Sequence, residues 1–363
     1  MKIGFYSPLP PARTGVADYS AALLRALRGF GTVEPGSTGD VNLYHIGNNH
    51  LHGSIYREAL RNPGVVVLHD AVLHHFFLGA LPREQYIEEF VYNYGEWTRD
   101  VAAGLWAARA RSAADERYFR YPMVRRIAEV SPVVVVHNPG AAAIVRAHAP
   151  GARIVEIPHL FSRPVMPSPS AVAAARQRFG HSTFVFGIFG HLRESKRVLA
   201  VLRTFQKIRR NTAKIALLLS GDCVSSDLQR AMQPYLAGPS IVRTGYLSEA
   251  EFWAHAAAVD ACINLRYPAA GESSGISIRL MGIGKPVLVT GGIEVQRFPR
   301  DSCLRVDSGL SEEAMLGSYL TFLAQSPEHA SEIGRRAAGH IEREHAVERA
   351  AHLYWQALSG KAA

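Results

Sequence analysis

Short apolar runs alternate with longer amphipathic stretches along this chain, and the alternation occurs twice. In the first half, runs at 2–7, 41–46, 65–68, 133–136 and 153–157 have the length of strands. Val65-Val66-Val67-Leu68 is wholly apolar, the kind of run that a parallel sheet covers on both faces. Gly15 opens a helical stretch to about Arg28 with Leu23, Leu24 and Leu27 on one face. Residues 83–130 are predicted to be mostly helical, as is 141–149. The stretch 161–170 holds three prolines and several serines and predicts a linker. Beyond it the pattern restarts, with strands predicted at 184–189, 215–219, 241–242, 261–265 and 287–289. Val198, Val201, Leu202, Phe205 and Ile208 recur at helical spacing, and further helices are predicted at 249–258, 311–325, 330–342 and 346–358. Each half reads as an open, mostly parallel α/β sheet.

At 363 residues, two domains are expected. A composition of 48% hydrophobic and 20% charged residues is that of a soluble globular protein, and no run reaches the length of a membrane span. Cys223, Cys262 and Cys303 are far apart and have no metal or redox spacing, so a reduced, cytosolic setting is expected. The apolar run after Lys2 is broken by Pro8, Pro10 and Pro11, which fits a strand rather than a signal peptide. The net charge of +9, with arginine outnumbering lysine, suits an anionic partner: a nucleotide diphosphate, a lipid phosphate or a membrane surface. Without a zinc knuckle, an aromatic-basic RNA motif or a basic repeat, nucleic acid is the weakest of the anionic partners.

Open parallel sheets take ligands at the carboxyl ends of their strands, and polar clusters follow the predicted strand ends here. Gly271-Glu272-Ser273-Ser274-Gly275 lies between a strand and a helix ending at Gly284-Lys285-Pro286. Free amides and the helix dipole favour phosphate there, while Glu272 suits sugar hydroxyls; a well-capped structural helix uses the same residue types. Arg193 and Lys196 sit three apart on a strand-to-helix turn and can hold a diphosphate and its growing charge as a leaving group. Gly15 lets backbone approach a ligand closely. His69 and Asp70 end a buried strand, with His74 and His75 one turn later; hydrogen bonding to a sugar or acceptor hydroxyl is expected of them rather than metal binding. His45 ends a neighbouring strand, followed by Asn48 and Asn49. No dinucleotide fingerprint, phosphate-binding P-loop or nucleophile elbow is present.

Taken together, these features resemble the family 4 retaining glycosyltransferases of GT-B architecture. Four segments carry the resemblance: Pro10-Pro11-Ala12-Arg13-Thr14-Gly15-Val16-Ala17-Asp18-Tyr19-Ser20; Val67-Leu68-His69-Asp70; Gly190-His191-Leu192-Arg193-Glu194-Ser195-Lys196-Arg197; and 271–275 through Gly284-Lys285-Pro286-Val287. The resemblance implies two facing Rossmann-like domains with parallel sheets and an interdomain cleft. Residues 1–163 would form an acceptor-side domain and 164–345 a nucleotide-sugar-binding domain, with 346–363 packing back on the first. It implies donor contacts from Gly15, Val16, Gly190, Ser273, Ser274, Gly275 and Ile276, and diphosphate contacts from Lys196 and Arg193. Here His191 stands where the family's arginine usually lies. Glu272 would hold the donor sugar and His45 the donor hexose, with His69, Asp70 and Asn48 toward the acceptor.

The family's paired glutamates, spaced E-x7-E, are replaced here by Gly271 and Arg279, with Glu272 one residue late. Arg279 is then a different donor contact, to ribose or phosphate, or a structural ion pair; a Gly-Glu-x-Ser-Gly-x-x-x-Arg variant occurs among such enzymes. The resemblance implies hexose transfer with retention by front-side attack, from a UDP- or GDP-sugar to a glycan or lipid-linked acceptor, in surface-polysaccharide or glycolipid synthesis. No metal or other cofactor is required on this reading. An idle nucleotide-sugar-binding or scaffold protein is the rival, and an epimerase or phosphorylase of the same fold a third reading. The arginines at 109, 111, 117, 120, 125 and 126 would shape the acceptor site or rest on anionic lipid at the inner face of the membrane.

Overall fold

The computed structural model describes residues 1–12, 14–179, 183–211, 214–238 and 240–361, so Arg13 of the proline-rich loop lies outside the described residues. The chain divides into two compact units. One comprises Met1–Ser162, Pro268–Ser273 and Glu344–Ala363; the other comprises Arg163–Tyr267 and Ser274–Arg343.

The first unit holds a six-stranded sheet of β1 (Lys2–Tyr6), β2 (Thr32–Pro35), β3 (Val41–Ile46), β4 (Val65–Leu68), β5 (Val134–Val136) and β6 (Ile154–Glu156). Its order is β2-β1-β3-β4-β5-β6 and every pairing is parallel. Successive side chains of each strand go to opposite faces, and both faces are covered. Tyr44, Ile46, Val66, Leu68, Val134 and Val136 pack into one core with the helices of 53–130. Leu43, Val65, Val67 and Val135 pack into the other, with Leu23, Leu24 and Leu27 of helix Gly15–Leu27. Helix Val347–Leu358 joins that second core through Ala350, Ala351, Tyr354 and Leu358. Two buried hydroxyls, of Tyr19 and Tyr354, hydrogen-bond at 2.8 Å. This contact satisfies both phenols inside an apolar layer and ties the last helix to the first.

The second unit repeats the plan with β7 (Phe184–Phe189), β8 (Ile215–Ser220), β9 (Ile241–Thr244), β10 (Ala261–Asn264), β11 (Val287–Thr290) and β12 (Leu304–Val306), in the all-parallel order β12-β11-β10-β7-β8-β9. The two strands that hydrophobic patterning does not predict, β2 and β12, are edge strands of their sheets. Each is short and carries polar residues, so neither shows the apolar run of a central strand. The stretch expected to be linker turns helical at Pro169, where Ser168 caps helix Pro169–Arg176 by accepting from the Ala171 amide at 3.2 Å. Among the described residues, no helix is long and apolar enough to cross a membrane.

Helix Pro327–Glu344 lies so close to the turn after helix Gly275–Gly282 that a Cβ on Gly334 would fall on the Gly284 carbonyl. Gly334→Ala is therefore expected to cost about 1–3 kcal/mol in denaturant unfolding, despite alanine's better helix propensity. Gly104 lies exposed in helix Arg99–Ala108 with nothing near an added Cβ, so Gly104→Ala should stabilise by up to about 1 kcal/mol. Equal signs for the two substitutions would contradict the packing.

Candidate functional site

In the second unit the chemistry gathers at the carboxyl end of β7. The strand runs into Gly190, whose φ of +78° lies in the region that favours glycine. The following turn is fixed from several sides. Leu192 is buried and its amide donates to the Asp222 carbonyl, the Tyr267 amide donates to Ser195 O, and Arg197 pairs with buried Glu312 at 2.9 Å. These contacts fold Lys196 inward until it is 5% exposed, with Nζ donating to the Phe189 carbonyl. Among the described residues no carboxylate pairs with it. Burial, with Arg266 and Arg193 nearby, pushes its pKa down to about 7. Cys262 is near enough to interact, but burial pushes its thiol up to about 12, so it supplies no thiolate. Arg193 is exposed on the same turn.

Beside this lysine is the start of helix Gly275–Gly282: an added Cβ on Gly190 would stand 3.2 Å from Lys196 Nζ and 3.7 Å from the Ile276 side chain. Ser274 caps the helix, accepting from the Ser277 amide, and Asn264 at the end of β10 donates to the hydroxyls of Ser274 and Ser277 at 2.6 and 2.7 Å. The amides of Gly275 and Ile276 are first-turn donors with no partner inside the helix. A buried ammonium and a helix N-terminus thus converge on one spot, and both favour an anion. Arg279, on the same helix, bonds Glu249 and lies over the rings of Phe252 and Trp253, with its guanidinium carbon 4.0 and 4.4 Å from their centroids. Its surroundings are those of an ion pair with cation–π support.

In the first unit the carboxyl edge is lined with imidazoles. His45 lies in β3, His69 follows β4, His137 follows β5 and His159 comes three residues after β6. They surround Tyr19, whose ring lies 4.8–6.0 Å from each. His45 has no exposed surface and meets His69 through Nδ1 and Nε2 at 2.9 Å. An imidazole so enclosed does not reach a ligand directly; His69, 7% exposed, is the member of the pair that touches the surface. Asp70 accepts from the Asn48 amide at 2.8 Å, and Asn48 Oδ1 accepts from the Phe76 amide at 2.8 Å. Both side chains therefore brace the loops after β3 and β4. At Gly15 the space above the backbone is open, and Thr14 caps the helix by accepting from the Ala17 amide at 3.1 Å; Val16 is half-buried.

The segment carrying Glu272 is built onto this edge. The amides of Ala71 and Val72 donate to the Ala270 carbonyl at 2.8 and 3.0 Å. Asn138, which caps helix Pro139–His148, also donates to the Gly271 carbonyl at 2.9 Å and to Ser273 Oγ at 3.0 Å. Ser273 Oγ reaches the His137 carbonyl at 3.3 Å, and Glu272 Oε2 accepts from the Ala270 amide at 2.6 Å. The boundary between the units falls at the Ser273–Ser274 peptide. His137, Asn138 and His159 are absent from the sequence-derived candidates. The signal for the first two was present, since His137-Asn138 follows a buried strand as His69-Asp70 does.

Among the described residues no group of three histidine, cysteine or acidic side chains can hold a metal ion. Arg117, Arg125 and Arg126 pair with Asp115, Glu129 and Glu89, and Arg109 lies over Trp106, while Arg111 and Arg120 are exposed.

No protein-family model matches this chain, and no curated protein matches its sequence. Solved structures do match in fold. The chain is similar to sucrose-phosphate synthase from Thermosynechococcus elongatus (TM-score 0.70, 15% identity, 99% of this chain and 100% of that one). It is similar to Anabaena HepE, solved with UDP and glucose (0.66, 14%, 99% and 100%), and to WaaG, a glycosyltransferase involved in lipopolysaccharide biosynthesis (0.63, 12%, 99% and 100%). The fold is therefore the GT-B fold of these glycosyltransferases, α/β with two parallel sheets, as the sequence led us to expect.

The histidine cluster makes the first unit acid-sensitive. Burial holds His45 and His69 well below the usual imidazole range, and His52 and His137 at about 4. These groups are neutral when folded and titrate near 6.5 when unfolded, so stability is full above pH 6.5 and falls as pH drops toward 4. One such group loses about 2 kcal/mol between pH 6.5 and 5, so Tm measured by differential scanning fluorimetry should fall by at least about 4 °C between pH 7 and 5. A flat Tm over that window, which lies above the range where carboxylates titrate, would contradict the buried neutral cluster.

Proposed function

We propose that this chain is a retaining glycosyltransferase of the family 4 kind. On this reading it moves a hexose from a UDP- or GDP-sugar to a glycan or lipid-linked acceptor, in surface-polysaccharide or glycolipid synthesis. The observation that carries the proposal is Lys196: a buried amine with no carboxylate partner among the described residues, beside the first-turn amides of Gly275 and Ile276, which have no partner inside their helix. A protein keeps such a group where an anion completes it. A diphosphate fits, and the complexes of HepE with UDP and with UDP-glucose supply the precedent.

On this reading Lys196, Arg193 and Gly190 hold the diphosphate with Ser274, Gly275 and Ile276, and Glu272 and Ser273 take sugar hydroxyls. Gly15 and Val16 offer backbone to the donor. His45 serves the donor hexose, acting through the His69 ring in front of it, and His69, Asp70 and Asn48 shape the acceptor side. The anomeric C–O bond to the diphosphate breaks, an acceptor oxygen forms the new bond on the same face, and its proton passes to the departing phosphate oxygen. Charge growing on that phosphate is stabilised by the Lys196 ammonium and the helix amides. Residues 1–163 with the last helix serve the acceptor, and 164–345 serve the donor. The commitment of Arg279 to Glu249 and two rings, where the family has a glutamate, favours a second reading as an idle nucleotide-sugar-binding protein.

Donor hydrolysis without acceptor separates the readings, after thermal-shift screening of UDP, GDP, ADP and their sugars has selected the donor. Slow release of nucleoside diphosphate is expected from the wild type. Lys196→Ala and Glu272→Ala should each lower turnover by at least about a hundredfold while circular dichroism shows an intact fold. Full activity in both variants would refute the assignment; nucleotide-sugar binding with no turnover would leave the idle reading.

A further inference from the structure

The imidazoles of the first unit follow a rule that fixes where their protons lie. His52 Nδ1 lies 2.9 Å from the His45 carbonyl, and His137 Nδ1 lies 2.9 Å from the Ile157 carbonyl. A carbonyl only accepts, so both rings carry their proton on Nδ1. Their Nε2 atoms are then bare lone pairs, and both are enclosed without a hydrogen-bond partner among the described residues.

His45 is in the same position with one difference: its Nδ1 meets a nitrogen, His69 Nε2, at 2.9 Å. Two neutral arrangements are open. If His69 donated from Nε2, His45 would carry its proton on its own Nε2, which is buried and unpartnered. An orphaned buried N–H is the costlier and rarer defect. If His45 donates from Nδ1, its Nε2 is a lone pair, as in His52 and His137, and the proton of His69 must lie on Nδ1. Phe5 and Tyr19 pack against His45 with ring centroids at 4.9 and 6.0 Å and hold its plane, so the ring has no freedom to offer the other nitrogen.

We propose that His45 is a positioning residue which locks His69 into its Nδ1–H tautomer, so that His69 meets the bound ligand as a hydrogen-bond donor. The complementary ligand group is an acceptor, which on the transferase reading is a hydroxyl oxygen of the sugar. That last identification rests on the proposed function; the tautomer itself does not.

The test is two-bond proton–nitrogen NMR of the full chain labelled with nitrogen-15 in its histidine rings, with His69 assigned by its loss in His69→Gln. The expected spectrum has His69 protonated at Nδ1 and bare at Nε2; protonation at Nε2 instead would overturn the proposal without any variant being needed. In His45→Asn the amide N–H can take the place of Nδ1–H and His69 should keep its tautomer. In His45→Leu the donor is lost and His69 should move toward Nε2–H, a change that a purely space-filling role for His45 would not produce. Donor hydrolysis should follow the same split, with His45→Asn within about threefold of wild type and His45→Leu down by about tenfold or more in kcat. If His69 shows the expected tautomer and wild type turns over no nucleotide-sugar, the transferase reading fails and the tautomer assignment stands.

Discussion

A lysine buried with no carboxylate partner among the described residues is the constraint around which this end of the second unit is arranged. Lys196 is folded inward because its turn is anchored on both flanks, by Leu192 on the loop after β8 and by Arg197 on Glu312. The carbonyl of Phe189 satisfies one of its protons and cancels none of its charge. In a protein interior such a charge either gives up its proton or finds an anion. Two neighbours favour the second outcome once an anion is present: Gly190 carries no side chain to fill the space beside Nζ, and the helix that begins at Gly275 presents first-turn amides with no partner inside the helix.

The first unit solves the opposite problem. Its carboxyl edge is lined with groups that burial keeps neutral, so their chemistry is hydrogen bonding with direction and not charge. Tyr19, His45, His69, His137 and His159 come from a helix and four strand ends, and the hydroxyl of Tyr19 is in turn held by the last helix. A terminal helix far away in sequence therefore helps to set the ring positions of a site formed by the first 160 residues. The Gly271-Glu272-Ser273 segment is built into the same edge through Asn138 and Ala71–Val72, which gives the glutamate a fixed backbone.

Legibility in the sequence followed burial. Central strands were visible because a run covered on both faces must be apolar throughout; β2 and β12 were not, because each is a very short strand whose few apolar residues are interrupted by polar ones. His69 could be picked out because a polar residue directly after an apolar run has few other reasons to be there, and Lys196 and Glu272 because each lies in a turn between an apolar strand and a helix. What their environments do to them could not. Glu194 is two residues before Lys196, yet the ammonium turns to a backbone carbonyl. Glu249 is thirty residues from Arg279 and pairs with it. His45 was recognisable as a strand-end histidine, but only the packing of Phe5, Tyr19 and His69 around it places it beneath the surface.

The central claim is that Lys196 is held in the interior for want of an anion that a nucleotide diphosphate supplies. The most direct measurement is the titration of its Cε signal in carbon-13-lysine-labelled protein, assigned by Lys196→Arg, without ligand and with the saturating nucleoside diphosphate that the thermal-shift screen selects. Burial holds the pKa at about 7 in the free chain. With that nucleotide bound it should rise to above about 9, because a bound anion stabilises the ammonium. A lysine that titrates near its ordinary value of about 10.4 and ignores the nucleotide would contradict it.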